Sequence, residues 1–373
     1  MLELSGAPER SAYDAVVVGA GIIGLACAWR AARRGLSVLV LDRERPGAGS
    51  SSVAAGMLAP VTEAEFGEEA LLRLNLAALE RWPEFAEELA AEVFYRRSGA
   101  LVVAADRDDS EELLRLHGFQ RSLGLDAEWL TPSQARRIEP GLSPRCAGAI
   151  LAPHDQHVDP GAVLRALEGH GLELLAGDAV AAVDESGVRT RSGRAISAGA
   201  VVIAAGCWSG RGIEGLPELP VRPVKGQILA LRRPAERPLV HHVVRTPRCY
   251  ILDRGDGRVV IGATVEERGF HTAVTADGVY RLLEAAWEVL PDALELELEG
   301  ARAGLRPGTP DNAPLIGRAG PDNVIWATGH YRNGVLLAPI TAEAVTELLT
   351  GEEPPAELAP FSPARFDRKP VAA

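Results

Sequence analysis

The chain has 373 residues, 47% hydrophobic and 24% charged, with few aromatics, which is the range of a globular protein of roughly two domains. A net charge of −12 leaves no overall basic field to draw in nucleic acid or an anionic membrane surface. Cys27, Cys146, Cys207 and Cys249 show no paired or metal-ligand spacing, so free thiols and a reducing cytoplasm are expected. The opening stretch MLELSGAPERSAYD lacks the basic-then-apolar order of a secretion signal, and the longest apolar run, 15–29, is short for a membrane span.

In chain order, residues 13–42 read as one βαβ unit. YDAVVVGAG is an apolar strand, IIGLACAWRAARRG a helix closed by Gly35, and SVLVLD a second strand. Both strands are continuous apolar runs, as suits a parallel sheet covered on both faces. RERPGAGSSSVAAGMLAP (43–60) is a long ordered loop or a loop entering a helix. Residues 67–93 have a helical pattern in which Pro83 is expected to split two helices or kink one. A strand pair over 94–104 and a short helix over 109–117 follow, and Thr131-Pro132 opens another helix. Asp159-Pro160 opens the helix PGAVLRALEGHG.

Then come the strands LELLAG, AVAAVDE, GVRTRSG and AISAGAVVIAAG, the last again apolar and ending in glycine. Residues 221–265 read as antiparallel sheet, with VKGQILALRR alternating and DRGDG a turn between two strands. Thr275 caps a helix in which Leu282, Leu283, Ala286, Trp287 and Leu290 share a face, and 293–300 alternates like a sheet edge. A strand at 324–328 and a helix at about 338–349, closed by Gly351, end the chain. The expected fold is α/β: a Rossmann-like nucleotide-binding domain assembled from separated segments, with an inserted α+β domain built on antiparallel sheet.

Gly19-x-Gly21-x-x-Gly24 lies between strand and helix. The first glycine permits the tight turn, the second the approach of a pyrophosphate, the third close helix–strand packing. The helix N-terminus faces the phosphates. Asp42, 18 residues after Gly24, stands where a carboxylate bonds ribose hydroxyls. NAD and FAD both use this unit. The small-residue loop with Ser50, Ser51, Ala55, Gly56 and Met57, and the recurring strand-end glycines Gly206 and Gly329, favour a long, buried cofactor touching several segments, more like FAD than NAD.

The motifs GAGIIGLACAW, SSVAAGMLAP, AAGCWSG, PVKGQILAL, CYILDRGDGRVVIGAT, AGLRPGTPDNAPLIGR and GHYRNGVLLAP, in this order, resemble the glycine oxidases that supply thiamine biosynthesis. Those belong to the D-amino-acid oxidase and sarcosine oxidase group, and the resemblance covers roughly residues 13–368. It implies noncovalent FAD, and oxidation of glycine or a similar small amino acid by hydride transfer from the α-carbon to flavin N5. O2 would be reduced to H2O2, and the imine would feed thiazole formation by a thiazole synthase. It also implies a homotetramer.

The FAD domain is expected over 1–85, 150–215 and 305–373, and the substrate domain over 86–149 and 216–304. Arg306 in LRPG matches the arginine that holds the substrate carboxylate, Tyr250 adds a hydroxyl to it, and Arg332 lies near flavin and substrate. The competing reading of Arg332 is an arginine paired with a nearby carboxylate. His330, Tyr331, Asn333, Gly334, Val335 and Leu336 bring backbone amides and the start of the last helix to the flavin. The cofactor set also takes in Ile22 and Ile23 in the glycine motif, Arg43 after Asp42, Val180 opening AVAAVDE, and Trp208 in AAGCWSG. Val265 is expected to line the substrate pocket. HDQH (154–157) with Asp159 is not read as a metal site, because Asp159 already starts a helix, and His241-His242 is placed in a loop.

Overall fold

A run of small and β-branched apolar residues that ends in glycine can only be buried as an inner strand. Three such runs, and a fourth apolar run that ends in Asp42, lie side by side in the computed structural model, which describes residues 8–234 and 237–366. Residues 1–7 of the opening stretch, and the outer ends of the expected cofactor segments, lie outside the described residues. Strands Ala12–Val18, Val38–Asp42, Ala195–Ile203 and Val324–Thr328 are parallel neighbours, with Glu173–Ala176 parallel on one side and Leu315–Arg318 antiparallel on the other. Val18 pairs with both Leu41 and Ile203, so these strand ends finish level with one another. That edge is where open α/β sheets bind ligands.

Both faces of this sheet are covered. Helices Ile22–Arg33, Glu69–Glu88, Pro160–Glu168 and Ala338–Thr350 pack on one side around Trp29, Leu74, Trp82 and Leu337. The other side buries Val16, Leu39, Val201 and Trp326. A second eight-stranded sheet runs Glu297–Gly308, Arg222–Arg232, Arg258–Gly262, Tyr250–Asp253, Val243–Arg245, Ala100–Ala104, Gly148–Ala152, Glu128–Leu130. Helix Ala276–Val289 packs against it through Leu282, Ala286 and Val289, beside Leu229 and Ile251.

Local chemistry sets several boundaries as expected. Thr131 closes a full capping box with Gln134, Asp159 accepts from Gly161 N, Thr275 accepts from Gly278 N, and Gly351 ends the last helix at φ +77°. Four expectations are corrected. Glu69–Glu88 is one unbroken helix, with Pro83 on its exposed side. The strand pair over 94–104 is one strand, Ala100–Ala104, plus an isolated bridge from Arg96 to His157, a long-range pairing that the local pattern does not encode. The helix over 109–117 extends to Arg107–Ser122 because Asp106 caps it at Asp109 N. Trp287 is exposed, since the buried stripe of its helix is narrower than the apolar pattern. Among the described residues, no helix is long and apolar enough to cross a membrane.

Candidate active site

At the level edge of the parallel sheet the glycine motif forms a cradle. Gly19 has φ +113°, and a Cβ there would stand 2.4 Å from Ala204 O. A Cβ on Gly24 would fall 1.8 Å from Gly19 O, so this glycine sits directly against the strand, in its expected packing role. Gly21 is the N-cap and carries no side chain to close the helix end. Ser51 reaches back to accept from Ile22 N at 3.0 Å. Asp42 accepts from Ala20 N at 2.6 Å and Glu44 N at 2.8 Å. Burial lifts its pKa above the ordinary value, and the two backbone bonds oppose that rise.

A cavity of about 260 Å³ opens here. Gly19, Gly21, Ile22, Ile23, Asp42 and Arg43 line it, as do Ser50, Ser51, Val180, Gly206, Trp208, His330, Tyr331 and Gly334. The Arg43 guanidinium lies 3.6 Å over the Trp208 ring. Helix-end amides, a ribose-ready carboxylate and a floor that tolerates no Cβ together fit a dinucleotide cofactor.

A second cavity of about 210 Å³ lies between the two sheets. It shares Ile22, Ser50, Ser51, Tyr331 and Gly334 with the first, so the two meet along one wall. Arg306, Tyr250, Met57, Ala55, Gly56, Val265, Arg332 and Val335 line it. Arg306 donates to Thr264 O at 3.1 Å and has no carboxylate in ion-pair range among the described residues. Its guanidinium lies over Gly226, where a Cβ would stand 2.4 Å from Nη1. Tyr250 faces Gly262 in the same way, with a Cβ there 2.4 Å from its hydroxyl. Burial pushes the Tyr250 phenol up to about 12, against the lowering pull of Arg306, so it remains a proton donor at ordinary pH.

Not every expected residue reaches a cavity wall. Arg332 lines the second cavity but pairs with Glu65 at 3.0 Å, the competing reading of that residue. Asn333 lines only a small neighbouring cavity with Glu65 and Glu68. Gly24, Gly329 and Leu336 line neither of the two large ones. Gly329 makes the turn out of its strand at φ +74°, and the Leu336 carbonyl accepts from Trp82 Nε1 at 2.9 Å. The last helix starts at Ala338, so residues 334–336 form the turn before it. His330 is buried against Thr341 Oγ1 at 3.1 Å, and burial pushes its pKa down to about 3.

Sequence reading missed Glu63, Arg245 and Arg248. All three line the second cavity, with Arg245 paired to Glu63 at 3.3 Å and Arg248 to Glu288. Nothing in their local sequence marks them. Gly226 and Gly304 were findable, because a glycine inside a strand signals close approach of another group. A Cβ on Gly304 would stand 2.0 Å from Val53 Cγ2.

The sequence profile of the family described as DAO, FAD dependent oxidoreductase, matches residues 14–348. Glycine oxidase of Geobacillus kaustophilus is 34% identical over 366 residues, 94% of this chain and 96% of that protein. The bifunctional protein ThiO/ThiG of Synechocystis is 35% identical over 371 residues, 95% of this chain but 54% of that longer protein. The crystal structure of the Geobacillus kaustophilus glycine oxidase superposes with a TM-score of 0.88 at 33% identity, covering 96% of this chain and 100% of that one. A glycine cradle joined to an arginine-bearing cavity, on a chain matched along almost its whole length, places this protein in the DAO family of FAD-dependent oxidoreductases, as an enzyme of the amino-acid oxidase type with FAD as its cofactor.

Proposed function

We propose that the enzyme oxidises the amine of glycine, or of a similarly small amino acid such as sarcosine or a small D-amino acid, with O2 reduced to H2O2. The observation that carries this reading is Arg306: a guanidinium at the cavity wall, over a bare glycine, with no carboxylate partner among the described residues. An α-amino acid supplies the missing carboxylate, and the planar fork takes it through two parallel bonds. Tyr250, held protonated by burial, adds a donor from a strand three places along the same sheet. FAD would be held along the glycine cradle, by Gly19, Gly21, Ile22, Ser51 and Asp42, and would supply the two-electron redox chemistry for hydride removal from the substrate α-carbon, with O2 as the final acceptor. The chain orients the substrate and keeps its charge balanced.

No proton relay is assigned. His330 stays neutral through the assay range because burial holds its pKa near 3. The substrate amine must itself be neutral, so kcat/KM is expected to rise toward alkaline pH. We assign segments 1–85, 150–215 and 305–373 to cofactor binding and 86–149 and 216–304 to the substrate side. Assembly as a homotetramer, and delivery of the imine to thiazole formation, rest on the family resemblance. The relative in which the matching part is about half of a bifunctional protein supports a coupled partner enzyme.

The test is an anaerobic absorbance titration with glycine. Bleaching of the flavin band, and peroxide on readmitting air, is the expected result. Bleaching only with sarcosine, D-alanine or D-proline moves the substrate and keeps the chemistry. No bleaching with any amine overturns the reading. Arg306→Leu removes two charge-assisted bonds of ~1.5–3 kcal/mol each and is expected to lower kcat/KM by about 100-fold or more.

A further inference from the structure

Arg306 is held by one peptide carbonyl, and that peptide is itself held from behind. Along the strand Arg222–Arg232, Gly226 and Ile228 face the substrate cavity, so Lys225 and Gln227 point to the opposite side, toward helix Ala276–Val289. There they meet the segment that follows Gly262. Thr264 N donates to Gln227 O at 3.2 Å, and Gln227 N donates back to Thr264 Oγ1 at 2.9 Å. Glu266 and Lys225 exchange two backbone bonds of 2.9 Å.

The Glu266 carboxylate then gathers the side chains. Oε1 accepts from Thr264 Oγ1 and from Gln227 Nε2, each at 2.6 Å. Oε2 faces the Lys225 ammonium at 3.3 Å. Lys225 is fully buried, and its Nζ makes no hydrogen bond among the described residues, so Glu266 is its charge partner. Gln227 is fixed in turn by Thr275, which donates to Oε1 at 2.8 Å. A buried cation facing a carboxylate is costly to separate, so this cluster is stiff. Its outlet on the cavity side is Thr264 O, the acceptor for Arg306 Nη1.

We propose that Glu266, clamped by Lys225, Gln227 and Thr264, is a positioning residue that sets the orientation of the Arg306 guanidinium for a substrate carboxylate. The proposal rests on the reading of Arg306 as the carboxylate-binding group. Glu266 touches neither substrate nor cofactor. It acts by fixing the Thr264 peptide, and Thr264 O fixes the plane of the fork. Loosening the cluster leaves Arg306 charged and in place but lets the fork swing, which weakens carboxylate binding while leaving the reacting atoms alone.

The test titrates the FAD-loaded enzyme with acetate, a carboxylate with no amine, following the flavin visible spectrum, beside steady-state oxidation of glycine. Two variants are compared with wild type. Glu266→Gln removes the charge opposite Lys225, while Thr264→Val removes the hydroxyl but keeps shape and carbonyl, and so guards against a folding defect in the first. Both are expected to raise the acetate Kd and the glycine KM about tenfold while kcat stays within about twofold. Unchanged Kd and KM in both variants overturn the proposal. So does a fall in kcat of the same size as the rise in KM, because that is the signature of general disorder. Arg306→Leu separates the two layers. If it weakens acetate binding and Glu266→Gln does not, the positioning role alone falls. If it leaves acetate binding intact, the reading of Arg306 falls and takes the proposal with it.

Discussion

His330 shows how one buried side chain can tie stability to pH. It lies buried in the turn between the last parallel strand and the last helix, with its ring Nε2 bonded to Thr341 Oγ1. Burial lowers its pKa to about 3 from an ordinary value of 6.5. Below the ordinary value the unfolded chain binds a proton that the folded chain refuses, so stability falls as pH drops from 6.5 toward 3. His157 behaves alike, since burial and then Arg254 push it down to about 3. The sign reverses for Asp155, where burial, opposed by bonds from Thr62 and Val61, lifts the carboxyl to about 6 and favours folding as pH drops through that value. His330→Gln keeps a group that can bond Thr341 and removes the titration. Denaturation midpoints measured between pH 7 and pH 4 are expected to decline less steeply in this variant than in wild type.

Elements in this chain are set by short-range chemistry at their ends and by close contacts in their middles. The helix Pro132–Ile138 is too short to stand on propensity alone. Thr131 and Gln134 satisfy each other's backbone donors at its start, with Gln134 Oε1 accepting from Thr131 N at 2.9 Å. Thr131→Ala is expected to cost about 1 kcal/mol, read as a lower urea midpoint with an unchanged slope. The strands that wall the substrate cavity follow another rule. Gly226 and Gly304 stand opposite each other in register, one under the Arg306 guanidinium and one under Val53. The missing side chain of Gly226 creates the space in which the Arg306 guanidinium lies, and that of Gly304 makes room for Val53.

The second sheet is tied to segments around the first by charged side chains. Arg254, at the turn between Tyr250–Asp253 and Arg258–Gly262, is almost fully buried. It donates to Ala55 O and Val158 O, each at 2.5 Å, on segments that flank the cofactor side of the cavity. Its neighbour Arg258 bonds Asp159, the cap of helix Pro160–Glu168, at 2.7 Å. Burial lowers the Arg254 pKa to about 10, against the raising pull of Asp159, which still leaves it charged. Arg254→Met strands two buried carbonyls and is expected to destabilise the fold by about 3 kcal/mol or more. Urea melts at fixed FAD concentration measure this, because bound cofactor itself shifts the midpoint.

Much of this molecule is written in consecutive residues. The βαβ unit, the glycine cradle with Asp42, the caps at Thr131, Asp159 and Thr275, and the Gly351 stop all follow from local backbone chemistry and were legible without coordinates. Arg306 and Tyr250 were legible through the resemblance, and both line one cavity. Residues that act through distant partners were not legible. Arg332 carries the same sequence signal whether it faces a ligand or, as found, Glu65, which lies 267 residues away. Glu63 and Arg245 meet across 182 positions, and the short strand Val243–Arg245 pairs in parallel with Ala100–Ala104, which no hairpin rule suggests. Local conformational preference is paid in each residue's own backbone and shows in its neighbours. Charge pairing and cavity shape depend on which segments the packed core brings together, so only the tertiary structure decides them.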